Sequence, residues 1–281
     1  MTLKERVSGY RQRATWLVPA EDLDRPFRRR WVVLRGTLLF WLFDLNDAAI
    51  DRWGGDLPAV WDAKDFDWIP SIEAACPQIR AEMEAYLESH DSIPQVAEVS
   101  GLTPGSEEAM NSAPVDRGVW RALILLANGR WIEETARFFP ATRAAVASCP
   151  QMTTVGFSAL EAGSHIGEHV GTNRGALRYQ LPVVVPGEVG QCRIRVGDQM
   201  VVWEEGRSVV FDLKVNHEAW NDSDGRRILF MIETAMPLPF PVSVLNRLVQ
   251  YQFRFFPSFQ QMPDRVRELE RQRDRSSGIS G

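Results

Sequence analysis

The chain is poor in the residues that would make its chemistry obvious. Among 281 residues there are only three cysteines and four histidines. Cys76, Cys149 and Cys192 stand far apart with no paired spacing. That excludes a disulfide framework or a cysteine-built zinc site and predicts reduced thiols. There is no excess of positive charge. Lys and Arg total 32 against 37 Asp and Glu, a net charge of −5, which argues against a nucleic-acid partner. Internal repeats are absent, as is an N-terminal apolar run closed by a small-residue cleavage site, so nothing reads as a secretory leader. The longest early apolar stretch, Trp31 to Leu45, contains Arg35 and Asp44. A spanning helix needs about 20 apolar residues with few charges, so this stretch does not span. A cytoplasmic protein is expected, or one held peripherally at the inner face of a membrane.

What is present is an ordinary globular composition, 44% hydrophobic and 25% charged, with an unusual ten tryptophans. The Trp31–Leu45 stretch follows Arg28, Arg29 and Arg30. It reads either as a buried helix or strand or as an interfacial segment resting on an anionic surface. Between Ser71 and Leu87 the apolar positions Ile72, Ala75, Cys76, Ile79, Met83 and Leu87 recur at helical steps and predict one amphipathic helix. Asp91 to Arg117 reads as a long polar loop, Trp120 to Leu126 as a buried strand, and Trp131 to Ser148 as helix interrupted at Pro140.

After Pro150 the pattern changes to short β-rich runs. They are Thr153–Leu160, Ala176–Val185, Gln191–Val196, Met200–Trp203, Ser208–Asp212 and Arg227–Thr234, punctuated by Pro186-Gly187, Gly197-Asp198, Glu205-Gly206 and Asp224-Gly225. Regular short strands with turn signals indicate a sandwich or barrel. The tail from Val242 to Phe256 is apolar and aromatic with Arg247 and Arg254 interleaved. At helical spacing Val244, Leu248, Tyr251 and Phe255 share a face. The expected organisation is an N-terminal arm over residues 1–60, a membrane-facing candidate, then a helical lead-in over 61–150. A β core over 151–236 and an amphipathic tail over 237–281 complete it.

His90 closes a helical pattern and needs no special role, whereas His165, His169 and His217 fall in the β region. Two histidines on neighbouring strands can converge on one metal, although polar surface or satisfied core positions are the commoner fates. His165-Ile-Gly-Glu168-His169 also matches the H-x-x-E-H pattern of a zinc peptidase class, which requires a helix. Gly163, Gly167 and Gly171 make that a poor helix interior, each costing about 1 kcal/mol relative to Ala. The segment therefore reads as strand and turn.

The run from Phe157 to Thr234 resembles the aspartyl/asparaginyl β-hydroxylase family of Fe(II)- and 2-oxoglutarate-dependent oxygenases. The matching segments are FSALEAGSHIGEHVGTNRGALRYQLPVVVP, CRIRVGDQMVVWEEGRSVVFDLKVNHEAWND and RRILFMIET. The onward PLPFPVSVLNRL is more similar to a bacterial branch that hydroxylates acyl chains of lipid A. The resemblance implies an α+β protein with a double-stranded β-helix core, a cupin-like jelly roll, with N-terminal helices outside and a helical tail. It implies Fe(II), 2-oxoglutarate and O2 as cofactors, with His169 and His217 as metal ligands. Most such sites add a carboxylate two residues after the first histidine. Here Gly171 stands there, as in this family. Glu168 and Glu218 neighbour the ligands, but adjacent strand side chains face opposite ways.

The resemblance further implies Arg227 for the distal carboxylate of 2-oxoglutarate, with Ser158 as hydroxyl donor to it and Arg178 near the proximal carboxylate. Gln180 replaces the family's usual histidine as a cosubstrate contact. Asn173 is a candidate to order the metal turn or touch substrate. Trp203 and Trp220 are expected in core or pocket wall, and Asn221 and Asp222 in the turn after the second ligand. The implied substrate is a lipid acyl chain. The alternatives are an amino acid or a carrier- or peptide-bound aminoacyl group, and a jelly-roll binding module without turnover.

Overall fold

The computed structural model describes residues 3–15, 18, 22–90, 92–100, 114–171, 174–252 and 257–276. Asn173, Arg254, Phe255 and most of the expected 91–117 loop lie outside the described residues.

The helices are α1 (Leu3–Thr15), α2 (Pro26–Trp53), α3 (Ile69–Ala74), α4 (Cys76–Ser89), α5 (Val96–Ser100), α6 (Glu133–Ala136), α7 (Pro140–Ala145), α8 (Val242–Gln252) and α9 (Pro257–Ser276). The strands preceding residue 150 are β1 (Val60–Trp61), β2 (Val115–Arg117), β3 (Trp120–Ala127) and β4 (Arg130–Trp131). Those after it are β5 (Met152–Leu160), β6 (Ser164–His169), β7 (Ala176–Val184), β8 (Cys192–Val196), β9 (Gln199–Val202), β10 (Val209–Asp212), β11 (His217–Asn221) and β12 (Arg227–Ala235).

Two antiparallel sheets form the core. The larger has seven strands in the order β1-β10-β7-β12-β5-β3-β4, and the smaller has five in the order β2-β6-β11-β8-β9. From β5 onward successive strands alternate between the sheets, except for the β8–β9 hairpin in the smaller one. That winding is the double-stranded β-helix. The helices are not confined to one half of the chain and the strands to the other, because β1, β2, β3 and β4 all join the sheets. Their pairing partners lie downstream, so local pattern carries little of it.

The larger sheet is two-faced by strand alternation. Val155, Phe157 and Ala159 of β5, Leu177, Tyr179 and Leu181 of β7, and Ile228, Phe230 and Ile232 of β12 point outward into one apolar cluster. Ile69, Ile72, Ile79, Met83 and Tyr86 of α3 and α4 close over them. Burying one such side chain contributes about 1.5–3 kcal/mol. The intervening positions face the other sheet and line the barrel, among them Leu160, Ala176, Phe211 and Leu229. The single helix expected over 71–87 is two helices, α3 and α4, meeting at Ala75. Pro77 at the start of α4 offers no N–H to a preceding turn, which makes it a helix start rather than an interior residue.

The Trp31–Leu45 stretch belongs to α2 and meets both expectations in part. Val32, Leu39, Phe40 and Phe43 are buried against Tyr10, Ala14 and Val249, while Trp31, Leu34, Leu38, Trp41 and Leu45 are exposed. No helix among the described residues is long and apolar enough to cross a membrane.

Candidate metal and cosubstrate site

His169 closes β6 and His217 opens β11, and the two residues pair directly across the ladder. Their rings lie 4.0 Å apart between centroids. The ladder slips by one residue between His217/His169 and Ala219/Ile166. This bulge re-aims β6. His165 points outward, stacked on Trp220 at 5.0 Å, while His169, at an even spacing from it, turns inward. The glutamates behave as strand alternation requires. Glu168 and Glu218 both bond Arg195 away from the rings.

Both rings are held the same way. Nδ1 of His169 lies 2.8 Å from the Gly167 carbonyl, and Nδ1 of His217 lies 2.8 Å from that of Val215. A carbonyl only accepts, so Nδ1 carries the proton and the neutral ring presents a bare Nε2. Burial keeps the rings neutral. It lowers the pKa of His169, with nearby Arg178 acting in the same direction against the bond to Gly167. It takes His217 down to about 3, helped by His169 itself. Asp212, at the end of β10, accepts from the Lys214 N–H at 2.8 Å and shapes the turn that delivers His217. Gly171, where a carboxylate ligand would otherwise stand, has no side chain to offer and donates its N–H to the Leu213 carbonyl at 2.6 Å. Among the described residues no group of three or more His, Cys, Asp or Glu side chains gathers as a metal cage. The arrangement offers two imidazoles on one edge and leaves the remaining positions to water or to a chelating cosubstrate.

The inner face of the larger sheet carries the polar side chains. Arg227 is fully buried, and its Nε and Nη2 have no hydrogen-bond partner. Burial without a counter-ion pushes its pKa down to about 9. An unpaired interior cation costs on the order of several kcal/mol, which an incoming carboxylate offsets. Ser158, buried beside it, accepts from Trp120 Nε1 at 3.0 Å and keeps its own proton to donate. Gln180 Oε1 accepts from Trp203 Nε1 at 3.2 Å. Indole N–H only donates, which fixes the amide orientation and leaves the amide N–H groups to other partners. Arg178 donates to Met231 Sδ at 3.0 Å and pairs with Glu233, and its buried Nε is unpartnered. These donors fit a dianionic chelator lying between the histidine pair and Arg227.

The structure thus brings together His169, His217, Ser158, Arg178, Gln180 and Arg227. Trp203 forms wall, as expected, while Trp220 lies on the outer face of the smaller sheet. Asn221 holds the turn after β11, donating to the carbonyls of Leu160, Glu161 and Gly225. Sequence reasoning missed Glu233, which pairs with Arg178 and accepts from Thr154 Oγ1 at 2.9 Å. Its signal was available, since β12 alternation places 227, 229, 231 and 233 on one face.

The family described as Aspartyl/Asparaginyl beta-hydroxylase matches residues 73–237. A protein of Rhizobium tropici named ornithine lipid ester-linked acyl 2-hydroxylase is 32% identical over 214 residues, covering 76% of this chain and 73% of its own. The human aspartyl/asparaginyl beta-hydroxylase is 29% identical over 127 residues, 43% of this chain and 16% of that protein. A solved Burkholderia pseudomallei oxidoreductase of the 2OG-Fe(II) oxygenase family overlaps 46% of this chain and 77% of its own, at 11% identity and a TM-score of 0.28. On the extent of the family match and of the Rhizobium alignment, this chain belongs to the aspartyl/asparaginyl β-hydroxylase family.

Proposed function

We propose that this chain is an Fe(II)- and 2-oxoglutarate-dependent dioxygenase that hydroxylates an unactivated C–H of a lipid acyl chain. One observation carries the reading. Two neutral imidazoles, His217 buried and His169 half-buried, present bare Nε2 atoms side by side, on a barrel that also buries a guanidinium with unpartnered N–H groups.

His169 and His217 would hold the metal, and Arg227 would hold the distal carboxylate of 2-oxoglutarate through its planar fork, with the Ser158 hydroxyl as a second donor. Arg178 would meet the proximal carboxylate, its side chain steadied by Glu233 and Met231. The Gln180 amide would donate where the family's histidine does. Bound iron, with O2 and the cosubstrate, supplies the oxidising power for C–H hydroxylation. Apolar walls from Phe211, Leu229 and Leu213 exclude water around the imidazoles and the diacid. The acyl substrate is supported by the name of the Rhizobium relative, whose alignment covers most of both chains.

The test is succinate release from 2-oxoglutarate by protein loaded with Fe(II) under anaerobic conditions and then given O2. His169→Ala sets the background. Succinate no higher than that background sinks the oxygenase reading. Mass spectrometry of lipids from expressing cells then decides the substrate. A gain of one oxygen on an acyl chain is expected. The same gain confined to amino acids or aminoacyl conjugates would overturn the lipid assignment.

A further inference from the structure

The exposed face of α2 has no role in the site. Phe27, Trp31, Leu34, Leu38, Trp41 and Leu45 follow one another at alternating steps of four and three residues, and each is between 41% and 72% exposed. On a helix that spacing draws a straight seam about 27 Å long. The opposite face carries Val32, Leu39, Phe40 and Phe43 into the interior. Val244, Leu248 and Tyr251 add exposed apolar surface on α8, which packs beside α2. So long an apolar seam marks an interaction surface.

Two occupants fit an apolar helical seam: a lipid surface or a second copy of the helix. Charge separates them. The N-terminal half of α2 carries exposed Arg28, Arg29, Arg30 and Arg35, and among the described residues Arg29, Arg30 and Arg35 have no ion-pair partner. An antiparallel copy would answer them with the acids of the C-terminal half. Of the three acids there, Asp51 pairs with Arg174, Asp47 is half-buried and accepts from the Arg174 backbone N–H, and Asp44, held by the Tyr10 hydroxyl, is the one exposed carboxylate without a cation, too few to answer three unpaired arginines. Uncompensated arginines at one end of an apolar seam bearing Trp31 and Trp41 match an anionic bilayer surface.

The helix is also tied to the site. Asn46, on the buried side of α2, donates to the Arg174 carbonyl and to Asn246 Oδ1, both at 3.2 Å, and Asn246 donates to the Gly175 carbonyl at 2.8 Å. Residues 174 and 175 lie between His169 on β6 and Arg178 on β7. The seam and the metal edge of the barrel are therefore parts of one packed unit.

We infer that the exposed face of α2 is a docking surface for anionic lipid bilayers, lying in the interface plane and holding the metal edge of the barrel at a fixed place beside the membrane. Its purpose rests on the lipid reading, but its test does not require turnover. Full-length protein is floated with phosphatidylglycerol-containing vesicles and with phosphatidylcholine vesicles at 0.1 M salt. The wild type should float with the first. Leu34→Glu with Leu38→Glu should lower partitioning by at least about tenfold per leucine. Arg29→Gln and Arg30→Gln should each cost about fivefold, and only on anionic vesicles. Succinate release in vesicle-free buffer should be unchanged in all of them. Wild-type protein left in the supernatant overturns the inference, as does a leucine double variant that floats normally. So does a wild-type dimer, seen by sedimentation equilibrium, that the leucine variant converts to monomer while neither floats. Protein that floats but oxidises no lipid leaves the docking surface standing and removes the substrate assignment alone.

Discussion

A β-carbon placed on Gly171 would lie 2.9 Å from the β-carbon of Leu213 and 2.9 Å from its carbonyl oxygen. The obstacle at 171 is largely backbone, because the Leu213 carbonyl is also the acceptor for the Gly171 N–H. The two-histidine edge of the site is therefore enforced by the packing of one loop against the next.

Gly171→Asp should accordingly not yield a working three-ligand site. Both Gly171→Ala and Gly171→Asp must push the turn after β10 away, and that turn delivers His217. Overpacking of this kind costs about 1–3 kcal/mol. Both variants should lose stability in urea titration and lower metal affinity in a Co(II) or Fe(II) titration. An aspartate variant that binds metal more tightly and retains turnover would show that the loop yields easily.

Arg227 separates function from stability. Its guanidinium lies over the Trp203 ring, 4.6 Å from the centroid, with two nitrogens unpartnered. Replacing an unpaired buried cation with an apolar side chain of similar length is neutral or stabilising. Arg227→Met should therefore leave the thermal midpoint of the cosubstrate-free protein unchanged or raise it. The same variant should lose the further stabilisation that 2-oxoglutarate gives the wild type. Its kcat/KM for 2-oxoglutarate should fall on the order of a hundredfold or more, the scale of breaking a buried charge pair. Arg227→Lys should fall between, since an ammonium cannot form the bidentate fork. A methionine variant that still responds to 2-oxoglutarate would remove Arg227 from the cosubstrate site.

The histidines give stability a pH dependence of known sign. Burial depresses His169 below its ordinary value and takes His217 to about 3. Below about 6.5 the unfolded chain binds protons that the folded one refuses, so stability falls as pH drops from about 6.5 toward 3 and is fully present above that window. Urea midpoints of metal-free protein at pH 7.5, 6 and 5 should decline, and His217→Gln should flatten the decline. Iron loading, which competes with the same protons, should persist to lower pH than ordinary imidazoles allow. Equal slopes for wild type and variant would show that His217 is not buried neutral.

Much of the candidate site was legible because its residues sit on strands whose alternation is local. Ser158, Arg178, Gln180 and Arg227 lie on β5, β7 and β12 at positions that face inward together. What was not legible depends on contacts between distant segments. The bulge that separates His165 from His169 exists only in the pairing of β6 with β11. The strands β1, β2 and β4 are two or three residues long and are defined by their partners, not by their own periodicity. Alternation along β12 puts Glu233 on the inner face, but only the register of β12 with β7, which sets it opposite the half-buried Arg178, makes the two partners. The two-sided character of α2 was partly readable, since Arg35 and Asp44 interrupt an apolar run. Which face α1 and α8 cover was not.

Asn46 and Asn246 show the same separation, 200 residues apart in sequence and bonded in the interior. Each also holds a carbonyl of the segment that joins the histidine edge to β7. Gly175 adopts φ +89, and a β-carbon there would lie 2.1 Å from Asn246 Oδ1, so the asparagine occupies space that only glycine leaves open. Removing one asparagine breaks the bond between them and leaves the other's buried amide one partner short, which should cost about 1–3 kcal/mol. The bond they share is lost in either single variant, so Asn46→Ala with Asn246→Ala should cost less than the sum by about 0.5 kcal/mol or more. Because residues 174 and 175 lie between His169 and Arg178, each single variant should also weaken metal binding. Strict additivity in a double-mutant cycle, with metal affinity unchanged throughout, would show that the helical layer and the metal edge are not energetically joined.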